Sequence, residues 1–342
     1  MPEVINLYSD TATTPSPGMR RAMAEAEVGD EQLRADPTVN RLCERVAELL
    51  GTERAMFLPT GTICNQIALR VHCEPGDEVI LEETAHNRHY ETGAAAALLG
   101  VSLYPVAGDR GVFLPDQLLE AIRVPGNHFP RSRAVLIEQT ANLAGGTVWP
   151  IETLEAVCRT AAQHGLRRHL DGARLLNAVV SAGVSADRYC RAFDSVWIDF
   201  SKGLGAPVGA ALAGSAQFIE RAWRFKHQFG AAMRQAGIIA AGALYALDHN
   251  IERLQQDHEN ASELAAGLAR LSALVVEAPA TNMVFFRTTP DAIGTAELAD
   301  RLRDRGVLLS LMSDGRLRAV THLDIGRADI VRTLDIVQNC VA

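Results

Sequence analysis

Lys202 is the residue whose setting could do covalent chemistry. It lies in Ser195-Val-Trp-Ile-Asp-Phe-Ser-Lys-Gly-Leu-Gly-Ala-Pro-Val-Gly209, where 196–200 read as a buried strand and glycines stand at 203, 205 and 209. Burial disfavours an ammonium, lowers its pKa and makes the amine a nucleophile. Glycines beside it let a bulky group approach the backbone. The chemistry would be a Schiff base with a carbonyl cofactor; the alternative is a lysine that snorkels from a strand end. Asp171 follows a strand over 168–170, in His169-Leu-Asp-Gly-Ala-Arg174. Its charge could keep a ring nitrogen protonated and turn the ring into an electron sink. It could equally cap a helix or pair with Arg174. Thr60-Gly61-Thr62 opens a helix directly after a strand. Free N–H groups, two hydroxyls and the helix dipole there suit a phosphate, and a plain capping turn reads the same way.

The elements that must position these residues alternate. Residues 4–15 read as extended. Ser16-Pro17 and Asp36-Pro37 each pair a capping side chain with a proline at the first helical position. Val39, Leu42, Val46, Leu49 and Leu50 keep the helical period until Gly51. Strands are expected at 55–58, 78–81, 102–106, 134–138, 168–170, 195–200 and 209–213. Helices are expected at 63–73, 87–99, 115–123 and 151–164. Such alternation gives right-handed crossovers and an α/β fold, a mostly parallel seven-stranded sheet with helices on both faces. Ligands of such sheets bind beyond the carboxyl ends of the strands, where these motifs sit. Helical pattern then runs over 216–271 with a break near Asp248. Strands at 283–287 and 317–320 and helices at 295–305 and 327–339 make a smaller α+β unit. The expected division is 1–245, with 1–15 as an N-terminal arm, and 246–342.

Composition excludes several classes. Of 342 residues, 48% are apolar and 22% charged, and the net charge is −8, with no Lys/Arg-rich run to suggest nucleic-acid binding. Apolar runs are too short for a bilayer, and Met1-Pro-Glu-Val-Ile-Asn6 lacks the basic and apolar regions of a signal peptide. Cysteines 43, 64, 73, 158, 190 and 340 lie far apart, which fits free thiols in a reducing cytoplasm rather than a disulfide frame or metal site. Gly203-Leu-Gly-Ala-Pro-Val-Gly209 has one residue too many for a dinucleotide fingerprint, and no Gly-Lys-Ser/Thr phosphate loop occurs.

Nine motifs occur in order: Val28-Gly-Asp30, Asp36-Pro-Thr-Val-Asn40, Phe57-Leu-Pro-Thr-Gly-Thr62, Ala85-His-Asn87, Asp171-Gly-Ala-Arg174, Asn177-Ala178, Ser201-Lys-Gly-Leu-Gly205, Met233-Arg-Gln235 and Val320-Thr-His-Leu-Asp324. Together they resemble the threonine aldolase branch of the β-eliminating lyases, pyridoxal-phosphate enzymes of the aspartate aminotransferase fold type. The resemblance implies that Lys202 carries the cofactor, Asp171 pairs with its ring nitrogen, and Thr60, Gly61 and Thr62 hold its phosphate. It implies that Arg234 reaches a phosphate in a neighbouring subunit of a dimer or tetramer. It places His86 over the ring near the substrate, with Ser9, Arg174 and Arg318 on the amino acid carboxylate. The implied reaction cleaves the Cα–Cβ bond of a β-hydroxy-α-amino acid to glycine and an aldehyde, with His86 or a water as base.

Two segments depart from the family pattern. Where the family has Glu-Asn-Thr-His-Asn, this chain has Glu138-Gln-Thr-Ala-Asn142, so Ala141 replaces a histidine. Where the family has a tyrosine and a glycine, Leu33 and Arg34 stand. Arg88, His89 and Tyr90 follow His86 and either line the pocket or face solvent. β-Elimination, glycyl transfer and a non-catalytic binding protein on the same fold therefore stay open as alternatives.

Overall fold

A computed structural model describes residues 4–341; Met1 to Glu3, where the N-terminal reading begins, lie outside the described residues. The chain opens with β1 (Ile5–Asn6) and a 3-10 turn at Asp10–Ala12 in which Thr11 N–H donates to the capping Ser9 Oγ. The extended arm expected over 4–15 is thus broken by that turn. α1 (Pro17–Ala24) and α2 (Pro37–Leu50) start on proline behind the caps Ser16 and Asp36. Gly51 ends α2 at φ +63°, the left-handed stop its position requires.

β2 (Arg54–Leu58), α3 (Gly61–His72) and β3 (Asp77–Glu82) follow. The alanine-rich segment expected as one helix over 87–99 is two, α4 (His86–His89) and α5 (Ala94–Leu99). Thr92 and Gly93 take positive φ between them, 53° and 70°. Glu91 turns inward there, accepting from Asn65, Gln66 and Asn87, and these buried bonds outweigh helix propensity. β4 (Ser102–Val106), α6 (Pro115–Ala121), β5 (Arg131–Glu138), α7 (Ile151–Gln163) and β6 (Arg167–Gly172) continue the alternation, and α8 (Leu175–Ala182), α9 (Ala186–Cys190), β7 (Ser195–Asp199) and β8 (Ala210–Gly214) complete it.

The seven strands form one sheet in the order β2-β8-β7-β6-β5-β3-β4. β4, β3, β5, β6 and β7 pair in parallel, and β8 runs antiparallel to both its neighbours. Alternate residues feed a packed layer on each face of the sheet. Val135, Ile137, Leu170, Val196 and Ile198 join the larger one with α2 and α7; Ala134, Leu136, Trp197 and Leu212 face the opposite side, which α3 covers.

The helical run expected over 216–271 is three helices, α10 (Ala216–Gln228), α11 (Gly237–His249) and α12 (Leu254–Leu268). The extra break at 229–236 is made by carboxylates of the N-terminal segment: Glu31 accepts from Met233 N and Asp36 from Gly237 N. The buried Lys226 bridges Glu31 and Phe57 O, locking that segment to the end of β2. β9 (Leu274–Val276), β10 (Met283–Thr288), α13 (Thr295–Asp304), β11 (Val307–Leu308), β12 (Ser310–Leu311), β13 (Leu317–Val320) and α14 (Arg327–Val341) follow. Four of these strands make a sheet in the order β12-β13-β10-β9, and β1 pairs in parallel with β11.

Leu247 and Leu254 belong to the first core, whereas Ala261 and Leu264 belong to a second core built around the small sheet. Ile5 and Leu7 are buried in that second core, so the arm is anchored there and leads Ser9 and Asp10 back to the large sheet. Among the described residues no helix is long and apolar enough to cross a membrane. The six cysteines are free, five of them buried.

Candidate active site

Lys202 lies three residues beyond β7, its side chain 16% exposed and its Nζ 2.9 Å from Asp199 Oδ2. Ser201 donates to Asp199 Oδ1 from both N and Oγ at 2.7 Å, and Thr13 Oγ1 donates to Lys202 O at 3.0 Å. The amine stands 5.6 Å from the centroid of the Trp197 ring. The flanking glycines do not leave room for a ligand as expected. A Cβ on Gly203 would meet Leu254, one on Gly205 would meet Leu323, and one on Gly209 (φ +121°) would meet the Phe57 ring at 2.6 Å. They serve close packing within the chain. Gly61 does the same at the start of α3, where a Cβ would stand 2.2 Å from the Trp197 ring.

Asp171 is the next-to-last residue of β6, fully buried, accepting from Asn65 Nδ2 at 2.9 Å and Ala173 N at 3.1 Å. Burial raises its pKa against the pull of His86, Asn65 and Lys202. His86 Nδ1 lies 3.3 Å from Glu91 Oε1. Burial opposes charge on His86, yet the Glu91 hydrogen bond and the charges of Asp171 and Glu138 hold its pKa above the ordinary value. His86, Glu91 and Asp171 place one ligand atom each within 4.8 Å of one another. The Asn65 amide nitrogen, 2.7 Å from Glu91 and 2.9 Å from Asp171, stands between the carboxylates where a cation would.

Glu138 sits beside Asp171 in register on β5 and accepts from His86 N at 3.2 Å. Burial, then the charge of Asp171, pushes its pKa from 4.5 up to about 7. The folded state therefore binds more protons than the unfolded one in that window, and stability falls as pH rises from 4.5 through about 7. We expect Glu138→Gln to flatten this fall in cofactor-free protein, read from urea midpoints across the window. Parallel curves for the two proteins would exclude Glu138 as its source.

A second wall joins the arm to the small sheet. Asp10 accepts from Arg174 Nε and Nη2, both at 2.7 Å, and from Asn282 Nδ2 at 3.2 Å. Ser9, beside it, accepts from Thr11. Arg318, from β13, donates through Nη1 to Asn142 Oδ1 at 2.8 Å, while its Nε is buried and has no partner. Burial and then the nearby Arg174 charge lower the Arg318 pKa. Two guanidiniums close enough for one charge to act on the other, one with an unused buried donor, suit a carboxylate.

Among the described residues, the other expected ones make no side-chain hydrogen bond to this cluster. Thr60 Oγ1 accepts from Ile63 N, capping α3, so the cap takes that N–H and the other first-turn N–H groups have no partner within the helix. Arg234 pairs with Asp30 at 2.8 Å, its side chain 62% exposed. Arg88 and His89 bond Glu83 O, and Tyr90 is exposed 5.6 Å from the His86 ring. Leu33 is exposed, and Arg34 keeps a left-handed φ of 56°, a conformation that favours glycine, while its guanidinium pairs with Glu220.

The Ala141 methyl lies beneath Gly111, where an added Cβ would stand 2.5 Å away. Ala141 is 3% exposed, so a histidine there would have to displace its packed neighbours. We expect Ala141→His to cost about 1–3 kcal/mol in urea unfolding without raising turnover. Unchanged stability with faster turnover would overturn this account.

Asn65, Glu91, Asp10 and Asp199 were not among the sequence candidates. Each has a largely covered polar side chain that gains meaning only through its partner. The assembled set suits the group expected from the motifs: an amine for a carbonyl, a buried carboxylate for a ring nitrogen, an imidazole ring beside it and a helix N-terminus for a phosphate.

A β-eliminating lyase family model matches residues 6–290. The chain is 41% identical over 328 residues to the low specificity L-threonine aldolase of Escherichia coli K12, covering 96% of each chain. It is 39% identical over 344 residues to low-specificity L-threonine aldolase 1 of Arabidopsis thaliana, covering 98% of this chain and 96% of that one. A solved structure of Leishmania major threonine aldolase shares the fold, with a TM-score of 0.86 at 22% identity over 99% of this chain and 100% of that chain.

Proposed function

This chain belongs to the β-eliminating lyase family, and from that premise we propose that it cleaves the Cα–Cβ bond of a β-hydroxy-α-amino acid to glycine and an aldehyde, as a pyridoxal-phosphate enzyme. The observation that carries the proposal is that the Lys202 charge reaches both the buried Asp171 and Asp10, while Asp10 pairs with Arg174 and the Arg174 charge reaches the half-paired Arg318. Lys202 would hold the cofactor's carbonyl carbon and Asp171 its ring nitrogen. Thr60, Gly61 and Thr62 would hold its phosphate, with Arg234 of a neighbouring subunit. Bound there, pyridoxal phosphate supplies the sink for the electron pair that Cα–Cβ cleavage releases.

The chain's own groups do the rest. Arg318 and Arg174, beside Ser9, orient the substrate carboxylate, Arg174 being held in place by Asp10. With Nδ1 on Glu91, His86 keeps Nε2 for the β-hydroxyl proton. The surrounding carboxylates then favour that proton on the imidazole. Exposed Leu33 and Arg234 suit a homo-oligomer that shares its sites. The free cysteines suit a cytoplasmic setting.

A panel of β-hydroxy and other β-substituted amino acids, with products identified, tests the proposal. Glycine plus an aldehyde supports it. A 2-oxo acid plus ammonia would show β-elimination instead, and no product with any member would favour a binding protein.

A further inference from the structure

A polar path crosses the interior between the sheet and α3, from the surface to Asp171. His169 and Asp171 share one face of β6, Ser195 and Trp197 the same face of β7, and Asn65 and His72, seven residues apart, the facing side of α3. Their contacts are continuous: His72 Nε2 to Ser195 Oγ 2.7 Å, Ser195 Oγ to His169 Nδ1 2.8 Å, His169 Nε2 to Asn65 Oδ1 3.0 Å, and Asn65 Nδ2 to Asp171 Oδ2 2.9 Å. His72 is 8% exposed, and Ser195, His169 and Asn65 are 1% or less.

Trp197 fixes the sense of the path. Its indole N–H can only donate, and it meets Asn65 Oδ1 at 2.7 Å. The Asn65 nitrogen therefore faces the two acceptors Asp171 and Glu91. His169 must then donate from Nε2, which leaves Nδ1 as an acceptor for the Ser195 hydroxyl. The Ser195 oxygen in turn accepts from His72 Nε2–H. Every donor points toward Asp171. Burial holds both imidazoles neutral, with pKa values near 3, as this pattern requires. The outer end is fixed as well: Arg133 donates to His72 O and Arg221 to Val71 O.

We propose that Asn65, His169, Ser195 and His72 are positioning residues that orient Asp171 as an acceptor for the cofactor's ring nitrogen. Aligned hydrogen bonds polarise one another, so the whole path strengthens the donation to Asp171 Oδ2. Apolar side chains would fill this buried layer at lower desolvation cost. The inference rests on the pyridoxal-phosphate reading of the site.

The test uses the full-length protein loaded with pyridoxal phosphate carrying ¹⁵N in its ring. Ser195→Ala cuts the path two links from Asp171 and removes one oxygen. We expect the ring-nitrogen ¹⁵N shift to move toward the deprotonated value and kcat to fall about fivefold with KM unchanged. Ser195→Thr, which keeps the hydroxyl, should restore both. Wild-type protein that takes up no cofactor overturns the site reading and this inference with it. Wild-type protein that binds it, while Ser195→Ala leaves shift and kcat unchanged, overturns this inference alone.

Discussion

Lys202→Ala is expected to abolish the visible absorbance that pyridoxal phosphate gives the wild-type protein and to lower kcat by about 10⁴-fold, the loss of a positioned reacting amine. The fold should survive. Lys202 is held to the arm through its backbone oxygen, not its side chain, and Asp199 keeps both Ser201 donors when the amine is gone. One lost contact to a carboxylate that stays hydrogen-bonded costs about 1–2 kcal/mol. Activity and stability therefore separate: near-native urea unfolding, no cofactor band, no borohydride-fixed adduct. A variant that retains the band or substantial turnover would show that another amine carries the cofactor.

The same lysine shows what the sequence could reveal. A lysine behind an apolar strand, an aspartate behind another and a Thr-Gly-Thr helix start are local patterns, and local patterns survive in sequence. The seven-stranded sheet was legible for the same reason, since its strands alternate with helices along the chain. The rest depended on contacts between distant residues. Asn65 lies 106 positions from Asp171 and Asp10 lies 164 from Arg174, so no spacing rule joins them. The helix expected over 87–99 failed because Glu91 has buried partners on α3 that the alanine pattern does not reveal. The three glycines after Lys202 signalled close approach correctly but not what approaches. Leu254, Leu323 and Phe57 fill that space, and two of the three come from segments far along the chain.

Asp10→Ala should be the most destabilising single change in the site. Asp10 is fully buried and holds the 6%-exposed Arg174 through two bonds of 2.7 Å. Removing it leaves a nearly buried guanidinium without its counter-charge, close enough to Arg318 for the two charges to repel. Breaking a buried pair in this way costs about 3–5 kcal/mol, whereas removing both partners costs less than the sum of the single losses. Urea unfolding of Asp10→Ala, Arg174→Ala and the double variant measures that coupling. A pH signature accompanies it. Burial opposes the Asp10 charge, but Arg174, Lys202 and Asn282 hold its carboxyl well below the ordinary 3.8. A depressed folded pKa means the stabilisation is complete above the unfolded value and is lost as pH falls below it. Asp10→Asn should therefore unfold with a shallower pH dependence below about pH 4 than the wild type. Because Arg174 is spent on Asp10 through Nε and Nη2, its loss of position should also raise KM for the amino acid. A loss under about 1 kcal/mol for Asp10→Ala, with additive single variants, would mean that Arg174 finds solvent or another anion, and that the arm does not hold the carboxylate wall in place.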